Sequence, residues 1–526
     1  MKIGEILEET AKKNKSDVAL VFEGQKIKWG EFNTCVNRLS HALMELNVSV
    51  GDRVAIWMSN CPEYFYAYYA NGRIGSVSVP VNTFLKGEEV AFILNDSATH
   101  TIFLTPDFYE EFQKAAPKIR TVKNVIINAT EKEFNSIFRT RDPKFQYFQM
   151  QSFLKREPST TIFRTFSEED LAVLIYTSGT TGFPKGAMLT HKNLISNVKQ
   201  CNEALLLNKK DRILLFLPMF HSFTELVCMV LPVILGLRII ILPKIDSSKI
   251  KKALIKNRPT VFVGVPTVYN SMAQIKLSGL KRRLNPIRLY VSGAAPLAQD
   301  ILNRFLHLYQ RPLIEGYGLS EASPVVSCNL PGKERPLSVG LPVPGVEVKI
   351  VDENEREMKV DQVGEIIVRG DNVMKGYWKQ PDETEKTLKN GWLFTGDMGK
   401  KDEDGYLYIV DRKKDMLLYR GQNIYPREIE EAIYNNPKVK ECAVVGVKDA
   451  QKGEIPKAYI SLKAGEKATE KEIRDYLKEK IANYKLPKYI KFLDELPKTP
   501  TGKILKKDLR ELAQKDTVVG KDDGEN

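Results

Sequence analysis

Hydroxyl and glycine residues accompany one lysine in the stretch YTSGTTGFPKG, residues 176–186. Glycine lets a backbone turn tightly and bring its N–H groups close to a ligand. Hydroxyls and a lysine add donors, and this mixture suits a polyanion such as the phosphates of a nucleotide. A flexible surface turn is the alternative, but a buried-looking strand (residues 171–176) precedes the loop and further nucleotide-site candidates follow it. The candidate phosphate-binding residues are Thr177, Ser178, Gly179, Thr180, Thr181, Gly182 and Lys185.

Two common nucleotide motifs are excluded for this loop. A Walker A motif needs a Ser or Thr directly after its lysine, whereas Gly186 follows Lys185. A dinucleotide site needs G-x-G-x-x-G after a strand, and the loop lacks that spacing. The phosphates would therefore be held by a different kind of loop.

A second motif, EGYGLSE at residues 315–321, combines glycines with an aromatic ring, a hydroxyl and carboxylates. The ring of Tyr317 can face a flat heterocycle, while Ser320 and Glu321 offer hard oxygen ligands to Mg²⁺. A glycine-rich turn with a helix-capping serine is an equal competitor for an isolated copy. The stretch SGAAP, residues 292–296, follows a predicted strand, and its small residues allow a ligand close to the backbone. A tightly packed strand-to-helix turn would explain SGAAP as well.

Two single residues, Asp397 and His221, could have either a functional or a structural role. Asp397 ends WLFTGD, and a carboxylate there could accept both hydroxyls of a ribose, although an isolated aspartate is more often a turn residue. His221 lies in the apolar segment LPMFHSF, where a histidine is more often part of the core. Because no metal-ligand spacing surrounds His221, a zinc site is disfavoured.

Alternating strand and helix patterns must position these residues. Up to about residue 338 the alternation predicts parallel α/β units, with a polar, irregular excursion over residues 135–168. Antiparallel strand patterns follow, and the charged run 411–415 (DRKKD) marks a boundary. The sequence thus predicts an α/β fold: a large N-terminal domain, residues 1–411, with a small β-rich subdomain, followed by a small mobile α+β domain, residues 412–526.

Composition excludes several protein classes. The 526 residues are 43% hydrophobic and 28% charged, which is typical of a globular chain. Six scattered cysteines without C-x-x-C spacing argue against a zinc cluster or a disulfide scaffold and fit a cytoplasmic location. The net charge of +13 is explained most simply by a solvated surface rich in Lys and Glu. Attraction of ATP and a phosphorylated thiol cofactor, or weak contact with anionic lipid, is the functional alternative. Nucleic acid is disfavoured because negative charges are interspersed. No signal peptide or membrane span is predicted.

Together the motifs resemble those of the acyl-adenylate-forming superfamily, which includes acyl-CoA synthetases, luciferases and peptide-synthetase adenylation domains. The resemblance runs from about residue 10 to 512 in family order and is strongest to AMP-forming fatty-acyl-CoA synthetases. It implies that ATP, Mg²⁺ and coenzyme A are used to convert a fatty acid first to an acyl-adenylate and then to acyl-CoA. One site would serve both steps, because the C-terminal domain rotates between them.

The same resemblance implies individual roles. Lys503, in PKTPTGKIL, would be the catalytic lysine that neutralises the carboxylate and the α-phosphate, with Glu321 and His221 also catalytic. Thr177 and Glu321 would hold magnesium. Ser320 replaces the usual threonine of the motif. The adenosine and phosphate contacts implied beyond the loop are Gly293, Ala294, Ala295, Glu315, Gly316, Tyr317, Gly318, Ser320, Asp397 and Arg412; Lys414 would be the hinge and Gly421 would lie beside the incoming thiol.

Several alternatives stay open at this point. The choice of a fatty acid depends on the apolar stretch 213–235, so an aryl, short-chain or amino acid is an alternative substrate, and an acyl-carrier protein is an alternative acceptor. An amino-acid enzyme would usually have an aspartate near the LPMFHSF segment, where only Glu225 is close. A luciferase-like oxygenase and a catalytically dead nucleotide-binding protein belong to other classes. Contact with a membrane surface and a homodimer are open as further associations.

Overall fold

Short apolar strands alternate with helices over the first 330 residues and assemble into two mainly parallel sheets. The computed structural model describes residues 1–157, 159–177, 184–275, 279–420, 422–449, 453–499 and 503–519. The predicted α/β class is confirmed. Among the described residues, no helix combines the length and apolar character needed to cross a bilayer.

The strands, in chain order, fall into three groups. Those of the two large sheets are β1 (Val18–Phe22), β2 (Gln25–Lys28), β3 (Arg53–Trp57), β4 (Val77–Pro80), β5 (Thr101–Leu104), β6 (Asn124–Ile127), β7 (Gln146–Gln149), β8 (Leu171–Thr177), β9 (Lys185–Thr190), β10 (Arg212–Leu215), β11 (Arg238–Ile241), β12 (Val261–Gly264), β13 (Leu289–Ser292), β14 (Leu313–Gly318), β15 (Val325–Cys328) and β16 (Leu341–Pro342). A β-rich region contains β17 (Glu347–Val351), β18 (Gly364–Arg369), β19 (Leu388–Lys389), β20 (Trp392–Lys401) and β21 (Leu407–Arg412). The C-terminal strands are β22 (Leu417–Tyr419), β23 (Gln422–Ile424), β24 (Val439–Asp449), β25 (Gly453–Leu462) and β26 (Tyr489–Phe492).

The helices cover and connect these sheets. They are α1 (Ile3–Lys13), α2 (Trp29–Glu45), α3 (Pro62–Ile74), α4 (Gly87–Asp96), α5 (Tyr109–Ala115), α6 (Glu131–Arg139), α7 (Met150–Leu154), α8 (His191–Leu205), α9 (Ser222–Thr224), α10 (Leu231–Leu235), α11 (Ser247–Lys256), α12 (Pro266–Ala273), α13 (Gly279–Arg283), α14 (Gln299–Tyr309), α15 (Pro381–Thr387), α16 (Pro426–Tyr434), α17 (Glu470–Lys478) and α18 (Lys506–Val519). A π-helical turn, Glu225–Val230, joins α9 to α10.

The first large sheet has the strand order β7-β6-β5-β3-β4-β8-β9. All its neighbouring strands run parallel except β8 and β9, which form an antiparallel pair. This pair places Thr177 directly opposite Lys185. The two ends of the predicted phosphate loop are therefore fixed by strand pairing.

The second large sheet has the order β16-β15-β14-β13-β12-β10-β11-β1-β2. Its central strands β11, β10, β12, β13 and β14 are parallel. Ligands of such sheets bind beyond the carboxyl ends of the strands. The LPMFHSF, SGAAP and EGYGLSE segments all follow or complete these strands at that edge, as the alternation of the sequence predicts.

One expectation about the N-terminal region was wrong. The stretch 135–168, predicted as an irregular excursion, contains the end of α6, the edge strand β7 and helix α7. Strand β7 pairs with β6 along its whole length, and Met150 and Phe153 of α7 are buried. The mixed polar pattern concealed this strand because an edge strand buries only part of its surface.

The C-terminal residues have their own apolar cores. Buried side chains from Leu417 to Ile490 form one cluster around β24 and β25, and a second cluster packs α18 against the other face. The main N-terminal cluster extends from Ile3 to Leu407. The separation of these cores agrees with a small unit that begins just beyond β21.

Candidate active site

A cavity of about 2140 Å³ lies at the carboxyl ends of the parallel strands and is bounded on its far side by the C-terminal residues. Among its lining residues are most of the described site candidates: Thr177, Lys185, His221, Gly293, Ala294, Gly316, Tyr317, Gly318, Ser320, Glu321, Asp397, Arg412, Lys414 and Lys503. Ala295 and Glu315 do not line it. The predicted site residues Ser178, Gly179, Thr180, Thr181, Gly182 and Gly421 lie outside the described residues.

Three side chains form an oxygen-rich corner at the end of β8. The Thr177 hydroxyl donates to Glu321 Oε1 at 3.3 Å, and the Tyr377 hydroxyl donates to the same oxygen at 3.0 Å. Burial, followed by the adjacent Glu321 carboxylate, raises the pKa of Tyr377, so its hydroxyl stays protonated as a donor. The corner holds Glu321 in a fixed orientation at the cavity wall.

Lys185 is a buried cation with a carboxylate partner. Its ammonium group forms an ion pair with Glu383 of α15 and lies 5.4 Å from the ring centre of Tyr377. The pKa of Glu383 is lowered to about 2, mainly because its carboxylate accepts a hydrogen bond from the Lys185 ammonium group. A buried cation is costly unless it is paired, and Glu383 supplies that pairing for Lys185.

A polar group for a sugar lies on β20 and β21. Strand pairing puts Asp397 opposite Arg412, with Nε of Arg412 3.5 Å from Asp397 Oδ1. The Tyr317 hydroxyl donates to Asp397 Oδ2 at 2.7 Å. Motifs that are 80 residues apart in the chain therefore meet at one carboxylate.

The SGAAP turn leaves room beside its backbone. A Cβ atom on Gly293 would come within 2.8 Å of the Phe223 ring, so only glycine fits there without displacing that ring. Glu315 lies behind the turn, where its carboxylate accepts a hydrogen bond from the Leu297 N–H at 3.0 Å. Burial raises the pKa of Glu315 to about 7. Glu315 therefore orients the turn and does not itself face the cavity.

His221 caps the short helix α9. Its Nδ1 accepts a hydrogen bond from the Phe223 N–H at 3.3 Å, and the next residue, Ser222, lies 3.0 Å from Ser320 through their hydroxyls. Burial, together with the positive charge of Lys503, lowers the pKa of His221 to about 4. The imidazole is therefore neutral at physiological pH and lies at the boundary between the polar and apolar parts of the cavity.

Lys503 reaches the cavity from the C-terminal unit. The loop that carries it is closed by its own backbone: the Thr499 N–H donates to the Lys503 carbonyl, and the Lys503 N–H donates to the Thr499 hydroxyl at 3.0 Å. Burial, followed by the charge of Arg412, lowers the pKa of Lys503 to about 8. Burial likewise lowers the pKa of Lys414. An anion beside Lys503 would relieve the unfavourable positive field.

The inner wall of the cavity is apolar. It includes Cys201 and Leu205 of α8, Val227 of the π-helical turn, and Cys328 of β15. Glu225 is not part of this wall; it is buried, and its carboxylate accepts a hydrogen bond from the Tyr68 hydroxyl at 2.6 Å. The pocket thus offers a hydrocarbon surface and no carboxylate from Glu225.

The sequence reasoning missed two site residues. Tyr377 and Glu383 line the cavity and contact the predicted residues Glu321 and Lys185. Glu383 lies within the stretch PDETEKTL, which matches the family, but that stretch gave no indication of its partner. Only the placement of α15 beside β9 brings the two charges together.

Magnesium fits the oxygen-rich corner in one respect. Mg²⁺ is commonly held by one or two protein oxygens together with substrate phosphates, and Thr177 and Glu321 present such a pair. No cluster of three or more His, Cys, Asp or Glu residues suited to a metal occurs in the part of the chain that the structure describes. The corner therefore suits a metal that arrives with a phosphate and not a metal held by protein alone.

Comparison with known proteins gives a family. Residues 7–378 match the model of the AMP-binding enzyme family, and residues 428–503 match the model of the AMP-binding enzyme C-terminal domain. The long-chain-fatty-acid–CoA ligase of Bacillus subtilis is 37% identical over 96% of this chain and 93% of its own length. That of Escherichia coli O157:H7 is 36% identical over 89% of this chain and 87% of its own length.

Solved structures agree in fold. An anthranilate CoA ligase in complex with anthranoyl-AMP superposes with a TM-score of 0.89 at 27% identity, covering 98% of this chain and 97% of its own. ATP-bound MatB from Rhodopseudomonas palustris gives 0.86 at 30% identity, covering 97% and 99%. With both family models matched in order over a cavity built from the predicted motifs, the chain belongs to the AMP-binding enzyme family.

Proposed function

We propose that this protein is an AMP-forming ligase that joins a fatty acid to coenzyme A. The fatty acid and ATP would give acyl-adenylate and pyrophosphate, and the CoA thiol would then displace AMP to give acyl-CoA. Family membership and the relatives named as long-chain-fatty-acid–CoA ligases bear out the predicted enzyme class, with ATP, Mg²⁺ and CoA as its requirements. The observation that carries the proposal is one cavity in which Lys503, Lys185 and an apolar wall meet.

In the first step a carboxylate oxygen bonds to the α-phosphorus, and the bond to the bridging oxygen of pyrophosphate breaks. Two anions must approach, so catalysis depends on positioning and charge compensation. Lys503 is placed to neutralise the carboxylate and the α-phosphate, and Lys185 to hold the outer phosphates. Magnesium, held by Thr177 and Glu321, would neutralise phosphate charge. Neutral His221 marks where the carboxylate end of the substrate would lie.

Adenosine recognition is assigned to the opposite wall. Asp397 and Arg412 would hold the ribose hydroxyls, with Asp397 fixed by the Tyr317 hydroxyl. The backbone of Gly293 and Ala294, together with the 316–320 segment, would face the adenine and the α-phosphate. Glu315 and Ala295 would act indirectly, by supporting the turn from behind.

The second step requires the C-terminal unit to move. We propose a mobile domain, residues 412–526, that turns about Lys414 after adenylation, withdraws Lys503 and lets the CoA thiol attack the acyl carbon. The separate apolar cores on either side of residues 407–417 support this boundary. The Gly421 position, proposed to admit the thiol, lies outside the described residues.

The apolar inner wall supports a fatty acid over an amino acid. An ammonium group would need a carboxylate, and Glu225 is engaged with Tyr68 away from the cavity lining. Aryl acids stay a second candidate, because one of the superposed structures is an anthranilate CoA ligase. A panel of acids of increasing chain length, assayed for AMP release with CoA, distinguishes the two classes.

Exchange of labelled pyrophosphate into ATP tests the first step directly. We expect exchange that depends on added fatty acid, loss of exchange in Lys503→Ala, and thioester formation by that variant when acyl-adenylate is supplied. Lys480→Ala, which removes an exposed lysine of the same domain, serves as the matched control. Acid-independent ATP hydrolysis, or equal loss of both steps in Lys503→Ala, would contradict the proposal.

Two associations go beyond the enzyme class. We propose peripheral contact with a membrane, because the substrate is a membrane-soluble acid. The predicted homodimer and the cytoplasmic location stay predictions. Sedimentation equilibrium of the purified chain would decide the first of these.

A further inference from the structure

Three arginines lie together at the edge of the nine-stranded sheet opposite the active site. Arg212 and Arg238 begin the parallel strands β10 and β11 and are direct neighbours in register, so their side chains leave the same face. Arg258 precedes β12 in the same sheet. Burial, followed by the charges of Arg238 and Arg258, lowers the pKa of Arg212, which places all three guanidinium groups within electrostatic reach of one another.

Within the described part of the chain, none of these three arginine side chains forms an ion pair or a side-chain hydrogen bond, and Nε of both Arg212 and Arg238 is buried without a partner. The Asp211 carboxylate, whose charge also acts on Arg212, is already held by both Nε and Nη2 of Arg288 at 2.7 and 2.6 Å. Like charges in adjacent strands destabilise the sheet, so the arrangement favours an external anion.

Large apolar side chains are exposed around the same edge. Leu206, Ile255 and Leu284 precede strands β10, β12 and β13, and they are 66%, 81% and 60% exposed. Because parallel strands begin at one edge of a sheet, these three positions lie toward the same edge as the arginines. Helix α11, which ends at Lys256 just before Arg258, carries four lysines and no acidic residue.

The arginines and the exposed apolar side chains together indicate which kind of anionic ligand this edge would bind. A free phosphate would use the arginines but leaves the apolar side chains in water, and an acidic protein would gain little from scattered leucines. An anionic bilayer satisfies both, with lipid phosphates at the guanidinium groups and the side chains of Leu206, Ile255 and Leu284 at the acyl boundary. From these contacts we infer that this edge is a docking surface for an anionic lipid bilayer.

The surface also lies beside the acyl pocket. Leu205 lines the apolar wall of the cavity, and the next residue, Leu206, is exposed at the docking surface, where its carbonyl accepts a hydrogen bond from Arg288 at 3.3 Å. The catalytic edge of the sheet thus stays open to ATP and CoA while the opposite edge faces lipid. This inference deepens the proposed use of a fatty acid, but bilayer binding is measurable without any catalytic step.

Flotation of the full chain with vesicles tests the inference in the absence of ATP. We expect binding to vesicles with about one third anionic phosphatidylglycerol, weak binding to phosphatidylcholine alone, and release by salt. The double variant Arg238→Gln/Arg258→Gln should bind the anionic vesicles about 25-fold more weakly, since each of the two cations near such a surface contributes about a factor of five. Arg356→Gln/Lys359→Gln, an exposed pair in the β17–β18 loop, is the matched control and should bind like the wild type.

A second variant keeps the test valid if the arginine double variant does not fold. Ile255→Ser alters a side chain that is largely in solvent, so it should fold normally and weaken vesicle binding about three- to tenfold. Equal binding by wild type and both variants overturns the inference. Binding to phosphatidylcholine vesicles as tight as binding to anionic vesicles also overturns it. The same holds if the double variant binds vesicles normally and loses only the binding of inorganic phosphate or of an acidic acyl-carrier protein. The exchange of labelled pyrophosphate into ATP, supported by a short soluble acid, should have the same rate in all variants. This control separates a loss of docking from a loss of the proposed enzyme activity.

Discussion

At the residue scale, Lys185 has a protein carboxylate, that of Glu383, as its ion-pair partner. The same ammonium group cannot serve Glu383 and an ATP phosphate fully at once, because both are anions that compete for its three N–H groups. Glu383 therefore orients the buried lysine before ATP binds and can pair with it again as pyrophosphate leaves. This competition makes Glu383 a positioning residue and not a catalytic one.

Removing that competitor should tighten phosphate binding. We expect Glu383→Gln to lower the KM for ATP about two- to fivefold, the range of a partly exposed ion pair, and to strengthen product inhibition by pyrophosphate in parallel. Steady-state kinetics at varied ATP and pyrophosphate measures both. Glu385→Gln, on the exposed side of the same helix, is the control; a raised KM in Glu383→Gln would show that the carboxylate supports ATP binding instead.

At the element scale, the π-helical turn Glu225–Val230 is anchored to α3 by a buried carboxyl group. Glu225 accepts from Tyr68, and its second oxygen, Oε2, has no hydrogen-bond partner among the described residues. Burial raises the pKa of Glu225 to about 7, so the protonated form is favoured in the folded state. The stabilisation is fully present below the unfolded pKa of about 4.5 and is lost as pH rises through about 7.

Glu225→Gln should flatten this pH dependence. The shift corresponds to a change in unfolding free energy of about 3 kcal/mol between pH 4.5 and 7, and the variant should lose that part of the slope. Urea unfolding followed by tryptophan fluorescence reports on the N-terminal region, where all four tryptophans lie. Glu385→Gln controls for loss of an exposed carboxylate, and an unchanged slope in Glu225→Gln would mean that Glu225 stays ionised in the fold.

At the scale of the whole molecule, Lys503 lines the cavity, although the proposed second step requires its domain to leave. Helix α18, which follows Lys503, forms an ion pair from Arg510 to Asp415, next to the proposed hinge, and another from Lys506 to Glu430 of α16. In the proposed rotation, Lys503 would therefore move together with α16 and the segment that follows Lys414. Rotation about Lys414 would move the whole C-terminal domain relative to the cavity, and not only the loop that carries Lys503.

Restricting the hinge should separate the two half-reactions. Proline fixes its own φ and restricts the preceding residue, so Lys414→Pro should retain pyrophosphate exchange while slowing thioester formation from supplied acyl-adenylate by about 100-fold or more. Lys414→Ala, which leaves the backbone free, should support both steps. Equal loss of both steps in Lys414→Pro would place the pivot elsewhere.

The sequence by itself determined the family and the α/β class, and its motifs predicted many of the residues that line the cavity. Short motifs could do this because Thr177, His221, Gly293 and Tyr317 each lie at or beyond the end of a strand in the large sheets, and parallel strands deliver such ends to one edge. Asp397 is different, because it lies inside the antiparallel strand β20. The C-terminal core was also predictable, since strand and helix patterns there are short and strongly alternating.

Tertiary structure decided which of these groups line the cavity and which lie behind its wall. Glu315 stands in a predicted motif yet faces the Leu297 amide, while Tyr377 and Glu383, which no predicted role singled out, reach Glu321 and Lys185. The three arginines of the docking surface likewise come from positions at least 20 residues apart in the chain. Contacts between distant segments depend on how the sheets and helices pack. The local sequence pattern does not show which distant residues will lie close together in space.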